Sequence, residues 1–142
     1  VILLAALLAA AAPATCQAGT KLDYICGVER PEDVIAIPST HLIVTSGFAP
    51  GAGLKLVDTD THRASRWFTG APDQIAHDRA AYPQCPGPVD PELFNARGLA
   101  LRHVGEGHYS LHVVNHGGRE SVEIFDILLG ERRLDWSGAD AG

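Results

Sequence analysis

From Asp33 onward the chain alternates short apolar-rich runs with turn-forming residues. The first four runs are "DVIAI", "HLIVTS", "GLKLVD" and "RASRWF", joined by "PST", "GFAPGA" and "TDTH". Runs of this length, rich in β-branched residues and bounded by Gly, Pro, Ser and Asp, predict strands in hairpin sequence. A stretch rich in Pro and Asp follows, and then the pattern returns as "RGLALR", "YSLHVVN", "SVEIFDI" and "RRLDW".

The two sets match in order. "HLIVTSG" answers "SLHVVNHG", "LKLVD" answers "VEIFD", and Trp67 answers Trp136. Each unit of roughly 40 residues is therefore expected to be a four-stranded antiparallel sheet, the size of a β-propeller blade. The expectation is an all-β chain with blade one over about 33–68 and blade two over about 97–136. Two blades are fewer than the four to eight that close a propeller, so the chain reads as the N-terminal portion of a longer protein.

The second set raises a question about metal. His108, His112 and His116 are spaced four apart, which on a helix could hold zinc. On a strand rising ~3.3 Å per residue, His108 and His116 would stand ~26 Å apart. Val113 and Val114 are β-branched and the repeat match is to a strand, so the zinc helix is set aside.

Composition adds a compartment. Of the 142 residues, 46% are hydrophobic and 20% charged, as in an ordinary globular protein. The net charge of −6, with no basic cluster, argues against nucleic acid or an anionic membrane as partner. Residues 1–12 contain only Val, Ile, Leu and Ala, and small residues follow. That is too short for a stable membrane span and reads as the apolar core of a signal peptide covering about 1–18, cut after Ala14 or Ala18. Thr15 is a poor residue before a lipidated Cys16, which argues against a lipoprotein. The mature portion, 19–142, is expected to be exported to a periplasm or the extracellular space. Export permits disulfides. With Cys16 at the leader boundary, Cys26 and Cys85 are the candidate pair. It stays equally open that each is free or pairs with a cysteine beyond Gly142.

Two motifs then point to a family. "PEDVIAIP" resembles the opening of the first blade of paraoxonases and arylesterases, and "FNARGLALR" followed by "LHVVNHGGRESVEIFDI" resembles their second blade. The wider group is the gluconolactonase, senescence-marker-protein and luciferin-regenerating-enzyme-like propellers. The similarity covers about residues 26–136. It implies a six-bladed propeller that hydrolyses lactones or aryl esters, small-molecule substrates, with calcium on its axis. By the same resemblance Glu32 matches a carboxylate on the catalytic calcium and Asp33 a ligand of a structural calcium. Leu99 matches the residue lending that ion a backbone carbonyl, and His116 the second histidine of a proposed water-activating pair. The first histidine of that pair falls at Arg97. Arginine stays charged and cannot serve as a base, so Arg97 either orients or binds anions, or the pair is broken.

Topology groups these residues independently. The start of strand one and the end of strand two share an edge in an up-and-down sheet, which puts Glu32, Asp33, Arg97, Asn115 and His116 on one face. Other signals fail. "GFAPGAGLK" lacks the Ser or Thr of a phosphate loop, "DTDTH" lacks the Gly and Glu of an EF-hand, and no G-x-S-x-G elbow is present. Two rivals to a hydrolase remain: an exported propeller that binds without catalysis, and a strictosidine-synthase-like propeller.

Overall fold

The structure is a computed structural model and describes residues 21–140. The apolar leader, its expected cleavage sites and Cys16 lie outside the described residues. The fold is all-β. Strands β1 (Pro31–Ala36), β2 (Leu42–Gly47), β3 (Leu54–Asp58) and β4 (Arg63–Arg66) form one sheet in sequence order. Strands β5 (Ala96–Gly105), β6 (His108–Asn115), β7 (Ser121–Leu128) and β8 (Arg133–Asp140) form a second sheet in the same order. Every neighbouring pair is antiparallel.

The sequence repeat is thus a repeat of two four-stranded sheets. β5 lies against β1 and β2, so the first strand of the second sheet meets the first sheet near its own first strand. Alternation decides what sits between. On β6, Tyr109, Leu111 and Val113 are buried in the shared core, while His112 and Val114 on the opposite face are more exposed. Phe68 from the end of the first repeat packs edge-on against Phe125 of β7, with ring centroids 5.1 Å apart. Phe94 from the linker stacks on Phe125 at 5.9 Å. Ile37, Val44, Leu54, Leu111, Val113 and Trp136 complete one core common to both sheets. A sheet this small cannot bury two faces by itself, and the pairing supplies the missing cover for one of them.

Element boundaries differ from the sequence reading by more than one residue at four places, the first being β1, which begins at Pro31 and not at Asp33. β5 continues through His103 and Val104, and β8 continues past Trp136 through "SGAD". The second extension follows from cover: the linker donates to β8, Ala76 N–H to Trp136 O at 2.9 Å and Asp78 N–H to Ser137 O at 2.8 Å. With β7 on its other side, the segment stays extended despite its turn-like composition. β4 is shorter than expected, since Trp67 lies beyond its end with its N–H held by Leu54 O.

The histidine spacing resolves as strand. His108 pairs with Asp126 at 2.7 Å, and His112 Nε2 lies 3.2 Å from Ser110 Oγ. The candidate Cys26–Cys85 disulfide does not form. Cys85 is free, its thiol turned toward Gly87 O at 3.7 Å, and Cys26 is disulfide-bonded elsewhere. Cys85 lies in the linker, whose backbone turns through Tyr82 to pair with β8, and Cys26 precedes β1 in the other sheet.

Candidate functional site

The edge where β1 and β5 meet is built from two irregular strand starts. The β1–β2 register shifts between Pro31 and Val34, so Glu32 and Asp33 sit in a bulge. The β5–β6 register shifts between Ala96 and Leu99, which places Arg97 and Gly98 in a second bulge at the same edge. A bulge leaves a residue off the ladder and re-aims its side chain.

Side chains at the end of each second strand repair the backbone. Ser46 Oγ accepts the Asp33 N–H at 3.1 Å, and Asn115 Oδ1 accepts the Asn95 N–H at 3.1 Å. Asn115 is fully buried, and its amide also donates to Gly117 O and Arg119 O. It therefore pins both the entry to β5 and the hairpin that carries His116.

Two contacts cross between the sheets. Asp33 Oδ2 accepts the Leu99 N–H at 2.7 Å, across 66 positions of sequence. In an extended strand the N–H and C=O of one residue point the same way, so the Leu99 carbonyl also faces the β1 side. Arg97 Nη1 lies 3.5 Å from Glu32 Oε2, and the Arg97 guanidinium carbon lies over the Phe48 ring, 3.3 Å from its centroid. Glu32, Asp33, Arg97 and Leu99 are brought together.

His116 stands apart from that group. Its ring Nδ1 is paired with Glu120 in its own hairpin, and its backbone N–H reaches Asn95 O at 3.2 Å. Among the described residues no contact joins its ring to Arg97, Glu32 or Asp33. The hairpin is nevertheless fixed in place. A Cβ on Gly117 would fall 1.7 Å from Leu93 O, so only glycine lets the backbone pass there.

The donors suit a hard cation in part. Calcium takes 6–8 oxygens, and the edge offers the Glu32 and Asp33 carboxylates and the Leu99 carbonyl. Asn95 adds a side-chain oxygen that is buried with no donor, at the start of β5. Both Asp33 oxygens accept backbone N–H groups, from Val34 and Leu99, yet each retains a lone pair. Among the described residues no cluster of three or more His, Cys, Asp or Glu forms, so carboxylates here number too few to hold an ion unaided.

Sequence reasoning missed Phe48, Asn95 and Glu120. Phe48 is 46% exposed in a loop that reads as turn, and nothing in its neighbours announces a stacking partner. Asn115 was placed at the right edge, but its role as a buried clamp comes from the side-chain hydrogen bonds alone. Compared with protein-family models, curated proteins and solved structures, the chain matches none.

Proposed function

We propose that this chain contributes the first two blades of an exported six-bladed β-propeller, a calcium-dependent hydrolase of lactones or aryl esters. One observation carries the reading. The Asp33 carboxylate meets the Leu99 backbone across the junction of the sheets, beside Glu32, at the edge where strand one starts and strand two ends. Calcium held there would polarise the substrate carbonyl. Glu32 and Asp33 would hold it together with the Leu99 carbonyl, the remaining oxygens coming from elsewhere in the protein. Asn115 and the Gly117 passage hold the His116 hairpin still. Glu120 on Nδ1 leaves Nε2 of His116 to take a proton from water, the division of labour of a base and its orienting carboxylate.

A second reading draws on a different contact. Arg97 already neutralises Glu32 and is immobilised on Phe48, which favours a propeller that binds a ligand at this edge without hydrolysing it.

The test is thermal melting and ester turnover of the full-length protein with calcium and with excess chelator. The hydrolase reading expects calcium to raise the melting temperature, and His116→Ala to lower turnover ~10²-fold with substrate binding much less changed. Equal melting temperatures would remove the metal from the proposal. Calcium stabilisation without ester turnover would move the reading to the binding module, and unaltered turnover in His116→Ala would remove His116 as the base.

A further inference from the structure

Two arginines of the second sheet differ in how they are partnered. Arg119 donates from all three nitrogens: its Nε and Nη2 meet Glu123 at 2.8 Å each, and its Nη1 donates to Gly87 O at 2.8 Å. That is a structural arginine. Arg97 has a single acceptor among the described residues, Glu32 Oε2 at 3.5 Å, long for a hydrogen bond. Its Nε is buried with no acceptor. A guanidinium carries five N–H donors in a planar fork, so most of this fork is unfilled. It is nonetheless seated over the Phe48 ring, and its side chain keeps 20% of its surface open at the edge.

An oriented, under-filled guanidinium on an exposed aromatic platform matches the geometry of a carboxylate, which takes two parallel N–H bonds from such a fork. We propose that Arg97 and Phe48 form an anion-receiving subsite, and that the preferred substrate is an ester or lactone bearing a carboxylate. Arg97 supplies the charge and fork, and Phe48 an apolar wall for the chain that carries the group. The proposal rests on the calcium reading, because Glu32 and Asp33 would repel an anion unless a cation offset their charge.

Calorimetric titration of the full-length protein in calcium with benzoate, and with neutral benzamide as control, tests it. Benzoate should bind more tightly than benzamide, and Arg97→Gln should weaken benzoate ~10-fold or more while leaving benzamide unchanged. Arg97→Lys should recover only part of the loss, since an ammonium has no fork. The variants should fold, because glutamine removes an orphaned buried donor, and melting curves check this. Equal benzoate affinity in wild type and Arg97→Gln, or no preference over benzamide, overturns the proposal. The hydrolase reading fails on separate measurements, calcium stabilisation and turnover of neutral 4-nitrophenyl acetate. Arg97-dependent benzoate binding with calcium stabilisation but without turnover would keep the subsite and remove the hydrolase reading.

Discussion

The two sheets share strand order and hairpin connections, yet their outer strands are very differently held. β4 is four residues long and mostly exposed, whereas β8 runs for eight with its six central residues buried. The difference comes from what covers each strand. The linker pairs with β8 through Ala76 and Asp78, and its Tyr82 ring covers Gly138. Beneath, the fully buried Glu123 receives Arg119, Ser121 Oγ at 2.6 Å and Trp136 Nε1 at 2.7 Å. The first sheet has no buried ion pair among its described residues. The candidate edge joins β1, itself mostly exposed, to the firmly held second sheet. Glu32 and Asp33 sit on the more exposed strand, with Asp33 tied to the second sheet through Leu99, while His116 sits in a hairpin clamped by Asn115.

The largest effect should come from the buried carboxylate. Glu123→Ala would leave the Arg119 guanidinium and the Trp136 indole without their acceptor in a dry site, a loss of ~3–5 kcal/mol. The Glu123 hydrogen bonds also raise the Arg119 pKa above its ordinary value, the main cause ahead of opposing burial. Urea unfolding measures the loss. A cost under ~1 kcal/mol, typical of exposed pairs, would erase the contrast between the sheets.

A smaller effect isolates the linker. A Cβ on Gly138 would stand 2.2 Å from Cδ2 of Tyr82, so Gly138→Ala must push the ring off β8. Such overpacking costs ~1–3 kcal/mol. Hydrogen exchange should speed at Ala76 and Asp78, whose N–H groups pair with β8, and stay unchanged at Thr45 in the first sheet. Uniform acceleration in both sheets would mean that the linker does not stabilise the second sheet selectively.

Much of this architecture was legible in the sequence. The eight strands, their grouping in fours and the shared edge for Glu32, Asp33, Arg97 and Asn115 follow from period-two patterning and hairpin topology. The illegible parts depend on contacts between segments distant in sequence. "SGAD" lies beyond the run that ends at Trp136, and its place in β8 shows only once the linker is known to pair with that strand. Phe48 reads as a loop residue until Arg97, almost fifty positions later, is laid on its ring. The Cys26–Cys85 pairing failed for a related reason: counting cysteines says nothing of where the chain carries them.

The smallest effect concerns the outer face of the firmly held sheet. His112 lies there on β6, beside Ser110, in an open groove of about 360 Å³ that also takes in Asp33, Gly98, Leu99 and Val114. Partial burial lowers its pKa below 6.5, and the nearby Arg102 charge lowers it further. The unfolded chain, with an ordinary histidine, then binds this proton at a higher pH than the folded protein does. Stability from His112 is thus complete above pH ~6.5 and declines as pH falls from there toward the lowered folded value, below which it stays constant. Acidification from pH 7.5 to pH 5 should lower the melting temperature less in His112→Gln than in wild type. An identical pH slope in the two would mean that this face is wet enough for His112 to titrate as it does in the unfolded chain. The second sheet would then be firmly covered only on the side facing the shared core.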